Sequence, residues 1–188
     1  MIEKVLLFIR NQLNNYLNLR TGSDDKLELG PLTDNEGKII VKNVGLTLVN
    51  VEEEKLIKNQ QPFFKETPQG TIAKVNPKIM VNLYLLFTTN FGDDELSYRE
   101  SLKFISYIMS FFQTNQVFTP KHFPELDSNV EKLVAELYTL PFEQLNYLWG
   151  AIGSKYLTSV MYKMRMLAIH EDEIKMDAPP VTIAKLKT

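Results

Sequence analysis

The amino-acid sequence predicts an α+β fold with one mixed or antiparallel β-sheet and helices packed against it. Three observations support this prediction. Apolar residues recur at three- and four-residue steps near the N-terminus and again after residue 94, as they do in amphipathic helices. Two segments, 41–51 and 79–88, are rich in Val, Leu and Ile and have the length of long strands. The elements follow one another as helix, strands, helix and strands, with no internal repeat.

Length and composition limit the possible functions. The chain has 188 residues, which fits one domain, and we assign residues 1–170 to it and residues 171–188 to a C-terminal extension. A net charge of −2 argues against nucleic acid as a partner. There is no cysteine, so disulfides and thiolate chemistry are excluded. No apolar run reaches about 18 residues, so we expect no membrane insertion and a protein folded in the cytoplasm.

The first predicted element is a helix over residues 2–17, whose apolar stripe runs from Ile2 to Leu17. The residues expected on its polar side are Glu3, Arg10, Asn11 and Asn14. A turn-rich cluster at residues 21–25 follows this helix, and the alternation at residues 27–29 then predicts a short strand.

Residues 41–51 predict a strand that buries one face, with Val44, Leu46 and Leu48 on that face. Gly45 in this strand indicates either a bulge or a close approach of another backbone. Residues 52–76 are polar and contain two prolines, so we interpret them as a hairpin tip or a segment that a partner orders. Phe63 and Phe64 form an aromatic pair there, which either packs onto the core or anchors another chain.

Ile79 to Thr88 predicts a central strand, because both of its faces are largely apolar. A helix is predicted over residues 95–113, with Asp93 or Asp94 as its N-cap. Its expected buried stripe consists of Leu102, Ile105, Ile108, Met109 and Phe112.

Residues 130–140 fit either a strand or a helix. Pro141 and Gly153 bound a predicted short helix over residues 142–152. Residues 157–169 predict a long strand, and Lys163 and Arg165 on its second face indicate that this face is partly hydrated.

The sequence contains no recognisable catalytic or cofactor motif. Neither a glycine-rich phosphate loop nor a nucleophile elbow is present. His122 lies in a predicted loop, and His170 with its acidic neighbours is a weak metal site. Asp93 and Asp94 are better explained as helix-capping residues than as catalytic acids. We therefore predict a protein that is not an enzyme and that has no cofactor and no metal.

Two segments nevertheless carry a family resemblance. One is the N-terminal helix with the strand that ends in residues 46–54, Leu-Thr-Leu-Val-Asn-Val-Glu-Glu-Glu. The other is residues 140–153, Leu-Pro-Phe-Glu-Gln-Leu-Asn-Tyr-Leu-Trp-Gly-Ala-Ile-Gly, which lead into the strand at residues 156–163. Over roughly residues 1–170, the chain resembles the tail-terminator, or cap, proteins of phage-tail-like contractile injection systems.

The resemblance implies a tail-terminator-like fold that assembles as a homohexameric ring. Such a ring ends the inner tube and anchors the last sheath layer, so the implied partners are copies of the chain itself, the sheath protein and the inner tube protein. The implied location is the bacterial cytoplasm during assembly, and afterwards an injection particle that is released or anchored at a membrane.

The C-terminal extension is a candidate contact segment. Pro179 and Pro180 precede a β-prone run, whose candidate interaction residues are Val181, Ile183, Lys185 and Leu186. This run either adds as a strand to the sheet of a neighbouring chain or docks on its own sheet.

Three other functions compete with a terminator ring. The chain could be another connector or adaptor subunit, associated with the tube or the baseplate of the same kind of particle. A small hydrolase would need a cluster of acidic residues in a cleft, which the sequence does not provide. A nucleic-acid binder would need a basic stripe with interleaved aromatic residues, and none is present.

Overall fold

The computed structural model describes residues 1–22, 26–54, 63–66, 72–75, 79–168 and 177–178. The helices are α1 (Ile2–Thr21), α2 (Glu95–Thr114) and α3 (Phe142–Ile152). The strands are β1 (Leu27–Leu29), β2 (Val44–Glu53), β3 (Phe63–Glu66), β4 (Ile72–Val75), β5 (Ile79–Thr89), β6 (Val117–Phe118), β7 (Val130–Leu137), β8 (Thr158–Ala168) and β9 (Asp177–Ala178).

A six-stranded sheet in the order β1-β2-β5-β8-β7-β6 forms the centre of the fold. β1 runs parallel to β2, and every other neighbouring pair is antiparallel, so the sheet is mixed. β5 and β8 pair over their whole length, from Ile79 opposite Ala168 to Thr89 opposite Thr158. The predicted α+β fold class and the central position of residues 79–88 are confirmed.

α1 and α2 cover one face of this sheet and enclose the larger hydrophobic core. Phe8 of α1 packs edge-to-face on Phe118, and Phe112 of α2 packs against Phe87 of β5. α1 continues four residues beyond the predicted end at residue 17 and stops in the predicted turn cluster, where Gly22 adopts a left-handed conformation at φ 65° and donates its N–H to the Asn18 carbonyl.

The prediction for Asn14 is wrong, because this residue faces the core and is only 5% exposed. Its Nδ2 donates to the carbonyl oxygen of Leu27 at 3.1 Å, and the N–H of Leu27 donates to its Oδ1 at 2.9 Å. β1 is an edge strand, so the backbone groups of Leu27 that point away from β2 need other partners. A buried asparagine supplies both, which periodicity alone does not reveal.

α2 begins at the predicted cap, since the Asp94 carboxylate accepts hydrogen bonds from the N–H groups of Leu96 and Ser97. Its buried face, however, is rotated from the predicted stripe. The buried residues are Ser101, Phe104, Ile108, Phe111 and Phe112. Leu102 and Met109 are 43% and 41% exposed. Bulky phenylalanines occupy the space over the sheet, and the aliphatic flank of the helix stays in solvent.

α3 lies on the opposite face of the sheet and covers a smaller hydrophobic cluster. The cluster is formed by Leu32, Val41, Leu86, Trp149 and Met161. α3 occupies the predicted residues and ends at Gly153, which is left-handed at φ 72°. The ambiguous segment after residue 130 is the strand β7.

Neither alternative that the sequence offered for Gly45 matches the structure, because the bulge of β2 lies elsewhere and the atoms that crowd Gly45 belong to side chains. An added Cβ would lie 2.7 Å from the Thr88 hydroxyl oxygen, so the glycine permits the close approach of this side chain. The bulge lies farther along, between Leu48 and Asn50. β1 pairs only with Val44–Leu46 of this ten-residue strand.

A second, three-stranded sheet in the order β3-β4-β9 was not predicted. β3 and β4 form an antiparallel hairpin within residues 52–76, and β9 adds to the other side of β4, with Ile72 opposite Ala178. The C-terminal extension therefore returns to its own chain at residues 177–178.

Candidate interaction surfaces

Two large aromatic residues of α3 are exposed to solvent. Phe142 is 90% exposed and Tyr147 is 67% exposed. The Tyr147 hydroxyl donates to the carboxylate of Glu143, the only charged residue of the helix. Exposed aromatic residues with little charge around them are typical of protein–protein contact surfaces.

A second apolar surface follows the exposed flank of α2, where two open pockets meet at Tyr156. The first pocket has a volume of about 360 Å³ and is lined by Tyr98 of α2, by the turn before α2 and by the start of β8. The second has about 250 Å³ and is lined by Met109 of α2, by Leu137 at the end of β7 and by Val160. We call these two pockets together the α2 groove.

The rim of the α2 groove is acidic at one end. Among the described residues that line the first pocket, Asp93, Asp94 and Glu95 are charged and none is basic. Hydrogen bonds from the side chain and the backbone N–H of Ser97 hold the pKa of Asp94 below its ordinary value, so this carboxylate is ionised and serves as the cap. The described lining of the second pocket contains no charged residue.

The outer edge of β2 is a third candidate surface. Beyond Leu46, the strand has no neighbour on this side among the strands that the structure describes. Leu48 to Val51 thus lie along an open edge, and Val51 is 44% exposed. Open edges can accept an additional strand.

The face of the sheet that α3 partly covers also carries a polar network, at the end away from α3. The hydroxyl of Tyr84 donates to Glu52 at 2.6 Å, and the Asn82 amide donates to Glu54 at 3.1 Å. Lys163 lies 3.9 Å from the Glu54 carboxylate. The hydrogen bond to Glu52 is the main cause that raises the pKa of Tyr84 to about 12. This hydrogen bond ties β5 to β2.

The sequence-predicted interaction residues are only partly described. The structure places Phe63 and Phe64 at the start of β3, opposite Val75 and Lys74 of β4. Val181, Ile183, Lys185 and Leu186 lie outside the described residues. The α2 groove was not predicted, because its residues come from α2, β7 and β8, which are far apart in sequence.

The candidate catalytic and metal-binding residues do not converge. Asp94 caps α2, and the Nδ1 of His122 lies 3.0 Å from the Thr119 hydroxyl, while His170 lies outside the described residues. In the described part of the chain, no three His, Asp or Glu side chains are grouped so that they could hold a metal ion. No helix in that part is long and apolar enough to cross a membrane.

Comparison with known proteins gives one family and two similar structures. The family model of the Pvc16 N-terminal domain matches residues 4–183. The sheath/tube terminator of PVC, an extracellular contractile injection system, in its extended state superposes with a TM-score of 0.67 at 12% identity, over 100% of this chain and 63% of that chain. The tube terminating cap of the anti-feeding prophage gives a TM-score of 0.60 at 13% identity, over 95% of this chain and 60% of that chain.

This chain therefore spans less than two thirds of the length of either of these two proteins. No curated protein sequence matches it.

Proposed function

Because this chain belongs to the Pvc16 N-terminal domain family, we propose that it caps the inner tube of a contractile injection system and anchors the last sheath layer. The family resemblance noted in the sequence is confirmed. The observation that carries the proposal is the fold: all of this chain superposes on part of a protein described as a sheath/tube terminator.

The proposed working form is a ring, with six copies as the expected stoichiometry. Tubes and sheaths grow by head-to-tail contacts that remain open until another component blocks the last ring. A cap must match that ring and offer no surface for a further one. The apolar surfaces on α3 and α2 provide two different contact areas, as a head-to-tail ring requires.

We propose a structural and not an enzymatic role, with copies of the chain, the sheath protein and the inner tube protein as partners. Both similar structures are described as end components, a terminator and a cap, which supports this proposal. Assembly is proposed to occur in the bacterial cytoplasm.

A first experiment tests assembly and capping together. The purified full chain is imaged by negative-stain electron microscopy, alone and after mixing with tube and sheath subunits. The proposal predicts rings and their attachment at one end of each tube, distal to the baseplate. A connector or baseplate subunit would instead bind at the other end. A chain that stays monomeric at high concentration and ignores both subunits would contradict the proposal.

A second experiment tests length control in particles. Particles assembled without this chain should have a broader distribution of tube lengths, because nothing ends polymerisation at a fixed point. Adding back the chain should restore a narrow distribution. Unchanged lengths in its absence would refute a terminator role.

We also propose that the predicted interaction residues at positions 63–64 and 181–186 contact other subunits. Removing residues 181–188 leaves β9 in place, so the variant tests the last segment without removing a described strand. The proposal predicts weaker ring assembly and weaker sheath attachment. Intact assembly and attachment would eliminate this segment as a contact.

A further inference from the structure

The α2 groove has the length of a short extended segment. From Tyr98 to Met109, α2 rises about 16 Å, because each residue adds about 1.5 Å. Leu102 lies between them on the same flank and is exposed, so the flank is apolar along its length. An extended segment of six or seven residues spans about 17–20 Å. The groove continues past Tyr98 to the acidic turn, so it fits six or seven residues of extended chain.

The groove also has two chemically different halves. The pocket at the Tyr98 end is bounded by the acidic turn, of which Asp93 and Glu95 are exposed. The pocket at the Met109 end has a described lining without charge. A fitting segment would be apolar in its first half and basic in its second, or the reverse.

Residues 181–187 of this chain, Val-Thr-Ile-Ala-Lys-Leu-Lys, have this pattern. Val181 and Ile183 are apolar, whereas Lys185 and Lys187 carry two positive charges in the second half. The segment contains no acidic residue. Its charge is opposite to that of the acidic turn, and opposite charges favour both the contact and its orientation.

The proposed head-to-tail ring favours the groove of a neighbouring copy, because each copy in such a ring contacts the next through two different surfaces. The segment starts close to a described strand: Val181 follows Ala178 of β9 by three residues and extends at most about 11 Å from it.

We propose that, in the assembled ring, residues 181–187 of one copy lie in the α2 groove of the next. The apolar residues occupy the pocket beside Met109, and the two lysines face Asp93 and Glu95. This inference rests on the proposed ring, and it specifies a contact that links adjacent copies.

Engineered disulfides test the contact cleanly, because the natural chain has no cysteine. One full-length copy carries Val181→Cys and a differently tagged copy carries Met109→Cys. After mixing equal amounts and mild oxidation, we expect a disulfide between the two copies in up to about half of the protein, because in a randomly mixed ring only half of the copies have the complementary cysteine on the required side. Two controls replace the groove cysteine by Leu19→Cys on α1, which is 87% exposed, and by Val51→Cys on the open edge of β2. Each control should give less than a tenth of that yield.

Charge reversal provides an independent measurement. Lys185→Glu with Lys187→Glu should reduce the yield of the disulfide to the groove at least tenfold. Asp93→Lys with Glu95→Lys in the other copy should restore it. Restoration would be absent if the lysines served only solubility, and that result would overturn the proposed orientation.

The outcomes separate this inference from the proposed function. Rings that form and cap tubes without the groove disulfide would overturn the inference and leave the cap role intact. A stronger yield with Val51→Cys would also overturn it, in favour of strand addition. The inference would also be overturned if a chain that carries both Val181→Cys and Met109→Cys formed this disulfide only within one copy. Groove disulfides in rings that ignore tubes would support the contact and refute the cap role.

Discussion

Asn14 offers a direct test of how the first strand is held in the sheet. We consider the substitution Asn14→Ala, which removes the side-chain amide that bonds both backbone groups of Leu27. Leu27 is 2% exposed, so water cannot replace the lost partners without a local rearrangement. Asn15 on the same helix is exposed, and Asn15→Ala is therefore a matched control.

The expected cost follows from the two hydrogen bonds. A buried polar group that loses its partner costs about 1–3 kcal/mol, and here a donor and an acceptor are both affected. Relaxation of β1 at the sheet edge reduces this sum, so we expect Asn14→Ala to lower the free energy of unfolding by about 2–4 kcal/mol relative to Asn15→Ala. The control removes the difference in helix propensity, which favours alanine by about 0.5 kcal/mol or more.

Urea denaturation followed by circular dichroism measures both variants against the natural chain. For a chain of this size, the expected difference corresponds to a melting temperature lower by roughly 5–15 °C. A difference below about 0.5 kcal/mol between the two variants, within the range of ordinary surface substitutions, would refute the assignment of Asn14 as the anchor of β1.

Three further predictions concern other parts of the chain. Gly45→Ala should destabilise the fold by about 1–3 kcal/mol, because the added Cβ would crowd the Thr88 side chain of β5. Gly150→Ala is the control: open space surrounds its added Cβ, so it should raise the melting temperature slightly. Thermal unfolding of both variants tests this difference, and equal melting temperatures would contradict it. Trp149→Phe should lower the free energy of unfolding by less than about 1.5 kcal/mol, because the buried indole N–H has no hydrogen-bond partner among the described residues and the variant keeps an aromatic ring. Trp149→Ala should lower it by about 3–5 kcal/mol in the same denaturation assay. Equal losses for the two variants would contradict this prediction. Tyr84 has a pKa raised to about 12 from 10.0, so the stability it contributes is complete below pH of about 10 and is lost as pH rises toward 12. Ultraviolet titration should show a late tyrosine transition near pH 12 that shifts to lower pH in Glu52→Gln, whereas the transition of Tyr162, whose pKa is raised by burial, should not move. An unshifted midpoint for Tyr84 would exclude the hydrogen bond as the cause.

The sequence was sufficient to predict the elements whose ends carry local chemical signals. Asp94 before α2 and Gly153 after α3 act through their own backbone and neighbours, so their roles are visible in a single sequence. The position of β5 in the middle of the sheet followed similarly from apolar residues on both of its faces.

Features that depend on distant residues could not be predicted. Asn14 is polar, and only the arrival of β1 at residue 27 explains why it is buried. Leu102 and Met109 match helical periodicity, yet the phenylalanines of the same helix take the space over the sheet. The α2 groove was missed for the same reason, since it exists only where α2 meets the ends of β7 and β8.

The division of the hydrophobic residues between two faces has a consequence for local opening. α3 and Trp149 rest on the smaller cluster, and the larger core lies behind the sheet. α3 can therefore detach without exposing that core, and amide hydrogens of α3 should exchange with solvent at lower free energies than those of β5. One layer of the subunit can therefore rearrange while the other stays folded.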